Sequence, residues 1–148
     1  MDIGLRYFTM AKKKLKNPEE EGRYYMLTIR PPPTVKWETF KYDCDMFLKK
    51  WSNKWEWSEW AYEQKGTDQE SMGTGFHIHL VLKTTVENYY PSHIRRDAEK
   101  QFTYVAKNCI DCAKIASLNR AREYIRGIKN DGEKEKAIIW DNIWRKRS

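Results

Sequence analysis

Apolar residues recur along this chain at two spacings, and the switches between them divide it into strands and helices. Residues 23–30 (RYYMLTIR) are dense in aromatic and branched side chains and stop at Pro31-Pro32-Pro33. They predict a first strand, because three prolines cannot continue a ladder. In residues 37–55, Trp37, Phe40, Cys44, Phe47, Leu48, Trp51 and Trp55 follow one another mainly at steps of three and four. That is the stripe of an amphipathic helix of about five turns, its rings turned to a core. Residues 57–64 alternate and run into Lys65-Gly66-Thr67-Asp68, a turn that closes a second strand. A polar loop with glycines then leads to a third strand at 76–83 (FHIHLVLK).

Pro91-Ser92 opens a helix that runs to residue 101, and residues 102–108 (FTYVAKN) read as a strand extending toward Cys112. Ser117 caps a further helix with Leu118, Ala121, Ile125 and Ile128 on one side, ended by Gly127 and Asn130-Asp131-Gly132. Trp140 and Trp144, four apart, predict a last short helix. Residues 1–22 are polar and lysine-bearing, an N-terminal arm. Strands interleaved with helices, with hairpin-like returns, predict an α+β architecture: a central antiparallel sheet of about five strands with flanking helices.

The length of 148 residues suits one domain. Seven Trp and nine Tyr separate it from disordered chains, and no run of about 18 apolar residues offers a membrane-crossing helix. The beginning of the chain has no apolar signal core, so secretion is not expected. Three cysteines, Cys44, Cys109 and Cys112, suit a reducing compartment. Cys109 and Cys112 have the spacing of half a zinc site, but no second pair completes it, and they read as small, semi-buried residues at a strand or its exit.

Charge changes the picture more. Lys and Arg number 28 against 21 Asp and Glu, a net +7, and from Cys112 onward ten basic residues face five acidic ones. An anionic partner is expected, nucleic acid first among such partners.

Candidate chemistry centres on Phe76-His77-Ile78-His79-Leu80. In a strand, residues two apart share a face, so His77 and His79 lie together while Phe76, Ile78, Leu80 and Leu82 fill the other side. Glu63 ends the second strand, and the loop over 65–75 would return the chain to pair beside it. Trp60 and Tyr62 alternate with Ala61 and Glu63, so the carboxylate faces away from the rings. One carboxylate and two imidazoles make a metal site with open positions, suited to a divalent ion that also grips a phosphate oxygen. A second feature is Ala121-Arg122-Glu123-Tyr124-Ile125-Arg126-Gly127-Ile128-Lys129, in which Tyr124 lies at the edge of the apolar stripe. A tyrosine is a poor nucleophile at its usual pKa of about 10, and a metal or another cation beside it relieves that.

Taken in chain order, Leu27-Thr28-Ile29-Arg30, the Glu63 strand, the His77-Ile78-His79 strand and the Tyr124 helix resemble the motifs of HUH-class replication-initiation (Rep) endonucleases, as in circular single-stranded DNA viruses. The likeness covers roughly residues 23–136. Two positions depart from the family pattern. Arg30 stands where an asparagine often follows the first motif, and Gly127 stands where many viral members carry a lysine three residues after the tyrosine. Lys129, five residues on, is the substitute candidate, and it reaches Tyr124 only if Gly127 ends the helix and the chain turns.

The resemblance implies an RRM-like sandwich in which Glu63, His77 and His79 hold Mg²⁺ or Mn²⁺ and Tyr124 attacks single-stranded DNA at an origin stem-loop. It implies a 5′-phosphotyrosine intermediate and a free 3′-hydroxyl that primes rolling-circle replication. Thr28, Arg30, Lys83 and Arg122 are the expected DNA contacts, with Lys83 on the strand face of the two histidines. The resemblance further implies a host nucleus if the chain is viral, no membrane association, and an endonuclease domain at 23–136. Residues 137–148 would then be a helix or linker toward a helicase domain, in a full-length protein open to oligomer formation. Three other readings stay open: a plasmid initiator or transposase of the same fold, a non-catalytic nucleic-acid-binding domain, and a cupin-like metal protein. The last would want more strands and less helix than this pattern carries.

Overall fold

The computed structural model of the chain describes residues 23–84, 89–126 and 132–148. The N-terminal arm expected at 1–22, and Lys129, lie outside the described residues. The elements run β1 (Tyr24–Ile29), α1 (Trp37–Trp51), β2 (Trp55–Glu63), β3 (His77–Thr84), α2 (Pro91–Gln101), β4 (Ile110–Lys114), α3 (Leu118–Ile125) and α4 (Gly132–Arg147). The strands form one antiparallel sheet in the order β2-β3-β1-β4. β1 and β3 occupy the middle, and all eight residues of β3 are buried, as a central strand covered on both faces requires. The α+β class and antiparallel sheet agree with the sequence pattern.

The two faces of the sheet build two cores. On one, Tyr25, Leu27, Ile29, Ile78, Leu80 and Leu82 meet Phe40, Cys44 and Phe47 of α1, Ile94 and Ala98 of α2, and Trp144 of α4. On the other, Tyr24, Trp57, Ala61 and Val81 meet Leu118, Ala121 and Ile125 of α3. The helical stripe of α1 is therefore core, as its spacing predicts. A register shift between Trp55 and Trp57 places these two tryptophans in different cores. Ser117 caps α3, its side chain accepting from the Arg120 amide at 3.3 Å.

Three expectations need correction. The helix predicted over 37–55 stops at Trp51; residues Ser52–Lys54 form a 3-10 turn, and Trp55 already belongs to β2. Its ring is apolar because a strand buries it, and it falls four residues after Trp51 only by coincidence of spacing. Residues 102–108 are not a strand: the Phe102 amide closes α2 on the Ala98 carbonyl at 2.8 Å, Val105 bonds back to Phe102 at 3.0 Å, and pairing begins only at Ile110. Phe102 and Val105, three apart, anchor a turn. The described residues therefore hold four strands, close to the five or so expected.

The expected C-terminal helix starts earlier, at Gly132, and is not a free linker. Its Trp144 packs into the main core, 4.6 Å from the ring of Trp37. Among the described residues, no helix is long and apolar enough to cross a membrane.

Candidate metal centre

The sheet register brings three candidate ligands together. Glu63, the last residue of β2, pairs with His77, the first of β3, and His79 follows two residues along the same face. The loop between these strands supports that return with Gly73 and Gly75, both at positive φ (90° and 64°), where other residues would be strained. All three side chains are buried, with relative exposures of 5%, 6% and 3% for Glu63, His77 and His79. Glu63 Oε1 lies 3.4 Å from His77 Nε2 and 3.5 Å from His79 Nε2.

Each imidazole is held from behind. His77 Nδ1 lies 2.8 Å from the Gly75 carbonyl. A carbonyl only accepts, so Nδ1 donates to it and Nε2 is the ring nitrogen that faces Glu63. His79 Nδ1 lies 3.0 Å from the Thr28 hydroxyl, on the strand paired to it. In the tautomer in which Nδ1 donates to Thr28, Nε2 presents its lone pair to the Glu63 side. Such outer partners set the tautomer and ring orientation of metal-ligating histidines.

The donor set fits a cation. A carboxylate flanked by two imidazoles offers a divalent ion one anionic oxygen and two nitrogen donors. Ligand atoms about 2.1 Å from one ion stand about 3.0–3.4 Å apart in octahedral or tetrahedral geometry. Of the two separations to Glu63, the one of 3.4 Å meets the upper edge of that range and the one of 3.5 Å lies just beyond it; both are longer than a usual N–H···O bond. The three donor atoms all lie within 4.8 Å of one another, and no other such cluster of His, Cys, Asp or Glu occurs among the described residues. These residues can hold a metal ion, and Cys109 and Cys112 take no part.

Tyr124 stands next to this centre. Its ring, half-buried on α3, meets the ring of His79 edge-on, with centroids 5.0 Å apart and planes at 79°. The buried side of α3 runs through Leu118, Ala121 and Ile125, so Tyr124 emerges at the rim of the stripe, as its sequence position predicts.

No family model, curated protein or solved structure matches this chain.

The other expected site residues are dispersed. Thr28 is buried at 5% exposure and supports His79 from within the sheet. Lys83 shares the histidine face, but it is four residues beyond His79, about 13 Å along the strand. It is buried, ion-paired to Glu56 at 3.4 Å, and lies over the ring of Tyr24. Arg122 points about 200° around the helix from Tyr124. With Arg126 it grips Glu59, at 3.3 and 2.7 Å, so these arginines do not surround the tyrosine. Arg30 is exposed just past β1.

Two groups of residues escaped the sequence reading. Gly75 lends its carbonyl to His77, a role at which its place in the glycine-containing loop only hints. Asp141 and Arg145 of α4, each 3% exposed, reach the end of β2 beside Glu63, and nothing in the local sequence signals this. Burial pushes the Asp141 carboxyl above its ordinary range, and the Glu63 charge adds to that; hydrogen bonds from Gln64 and the charge of Arg145 pull the other way.

Proposed function

We propose that this chain nicks and rejoins single-stranded DNA at a replication origin, using Tyr124 as nucleophile and a divalent ion, Mg²⁺ or Mn²⁺, held by Glu63, His77 and His79. The observation that carries this reading is the edge-on contact of Tyr124 with His79, one of three buried candidate ligands. An isolated metal site would not call for a phenol at its rim. The net charge of +7 favours a polyanionic substrate.

The bound ion supplies Lewis-acid polarisation of the scissile phosphate. The chain's own groups do the rest. Thr28 and the Gly75 carbonyl hold the imidazoles in their ligand orientation, and α3 holds Tyr124 beside them. The phenol proton passes to solvent as the tyrosyl oxygen bonds to phosphorus and the 3′-oxygen leaves. That 3′-oxygen takes a proton and becomes a hydroxyl able to prime synthesis. Attack by a 3′-hydroxyl on the phosphotyrosine reverses the step, and the phosphodiester energy is conserved throughout. Exposed Arg30 is available for the DNA backbone, whereas Thr28 serves the site from beneath.

The test is a denaturing gel of the chain with labelled stem-loop DNA pooled from several single-stranded virus origins, with Mn²⁺ or with EDTA. The expected result is an SDS-resistant protein–DNA adduct that requires metal and is lost in Tyr124→Phe and His77→Ala. Binding of DNA without adduct under every condition would replace this reading with a non-catalytic binding domain.

A further inference from the structure

Helix α4 grips β2 on both sides of Glu63. The Arg145 Nε donates to the Tyr62 carbonyl at 2.5 Å. The Asp141 carboxylate accepts from the Gln64 backbone N–H and from the Gln64 side-chain amide, each at 2.9 Å. The Tyr62 carbonyl and the Gln64 N–H belong to the two peptide groups that flank the Cα of Glu63, so both of its backbone torsions are pinned. The same Gln64 side chain receives the amides of Gly66 at 2.6 Å and Gly73 at 2.9 Å, tying the β2–β3 loop into the grip.

The direction of these bonds has a physical reason. β2 is an edge strand, paired only to β3. In an antiparallel ladder the carbonyl before a residue and the N–H after it point to the same side. Where Glu63 pairs with His77, that side is the open edge. Asp141 and Arg145, four apart on one face of α4, offer it an acceptor and a donor, as a neighbouring strand would. Edge protection alone would be served anywhere along β2; these two charged, buried side chains meet it at the peptide groups on either side of Glu63.

We propose that Asp141 and Arg145 are positioning residues of the metal centre: by fixing the backbone around Glu63 they hold its carboxylate against His77 and His79, so that these two contacts, and not the core packing of α4, set the affinity for the ion. This rests on the reading of those three residues as a metal site. Neither α4 residue belongs to the candidate ligand set. A carboxylate on a frayed strand end would lose its alignment with two imidazoles fixed on β3, and the ion would lose its one charged ligand.

The experiment is a calorimetric titration of the whole chain with Mn²⁺, at a temperature where circular dichroism shows each variant folded. Asp141→Ala is expected to weaken Mn²⁺ binding about tenfold, the lower end of the usual effect of outer-shell substitutions. Asp141→Asn, which keeps an acceptor oxygen, should restore most of it. Trp144→Leu is the control: it loosens α4 in the core, should lower the melting temperature, and should leave Mn²⁺ affinity within about twofold in the folded protein, because the Glu63 backbone contacts remain. Should Asp141→Ala not fold, Arg145→Met removes the other contact and is expected to show the same loss. Wild-type affinity in either truncating variant, or an equal loss in Trp144→Leu, would overturn the positioning role while leaving the metal site intact. A wild-type chain that takes up no Mn²⁺ would overturn both readings.

Discussion

The hydroxyl of Thr28 lies 3.0 Å from Nδ1 of His79, across the β1–β3 ladder in which the two residues are direct partners. Both are buried, so this contact, and not solvent, orients the imidazole. Thr28→Val keeps the shape and removes the oxygen. The loss of a buried partner should cost about 1–3 kcal/mol of stability. Metal affinity should fall about tenfold. Thr28→Ser should retain both. Thermal melts with and without Mn²⁺ separate the effects: Mn²⁺ should raise the wild-type melting temperature, and the increment at fixed Mn²⁺ should shrink in Thr28→Val. An undiminished increment would show that Thr28 does not orient His79.

The cysteines make a second prediction, concerning pH. Burial pushes the Cys112 thiol up to about 12, with Asp111 adding to the rise and Arg95 opposing it. Burial likewise lifts Cys44 well above the ordinary thiol range. Cys109 sits on the half-exposed 3-10 turn before β4. At about pH 8 a maleimide should therefore label Cys44 and Cys112 slowly, leaving Cys109 as the main site of modification. All three should react in urea, which peptide mass spectrometry resolves. The same shifts act on stability. Between the unfolded thiol pKa of about 8.5 and the raised folded values, the native state binds more protons than the unfolded state. The stabilisation is complete below about pH 8.5 and is lost as pH rises toward the folded pKa values. Equal labelling of Cys109 and Cys112 at about pH 8 would refute this assignment.

How much of this was legible beforehand depends on whether a feature is local. Alternation over 76–83 and a turn at 65–75 were enough to put His77 and His79 on one face and Glu63 beside them, since a two-residue period and a hairpin return are properties of the segment itself. The edge position of Tyr124 followed from helical periodicity in the same way. Trp55 misled because strand burial and helix burial demand the same kind of residue, and four residues after Trp51 either explanation fits. Phe102 and Val105 misled because anchoring a turn also needs apolar side chains. The support of His79 by Thr28 was hidden, because β1 joins β3 across an intervening helix and strand. The grip of Asp141 and Arg145 was hidden further, because it exists only once α4 has docked.

The last prediction concerns Glu59, which fastens the tyrosine helix to the sheet. Its carboxylate is 2% exposed and takes Arg122 Nε at 3.3 Å and Arg126 Nη2 at 2.7 Å, while both arginines remain partly open to solvent. That difference in burial makes the two sides of the interaction unequal. Glu59→Gln lets the arginines relax into water and should cost only about 1 kcal/mol. The double variant Arg122→Ala with Arg126→Ala strands a carboxylate inside and should cost about 3 kcal/mol near neutral pH. Denaturant melts near neutral pH give the test, with Glu59→Gln as the comparison. Because the pair docks α3 and does not touch Glu63, His77 or His79, the double variant should bind Mn²⁺ as the wild type does and form less Tyr124 adduct. A double variant that loses Mn²⁺ binding along with adduct formation would show that α3 and the metal centre are one unit, and that Glu59 holds both.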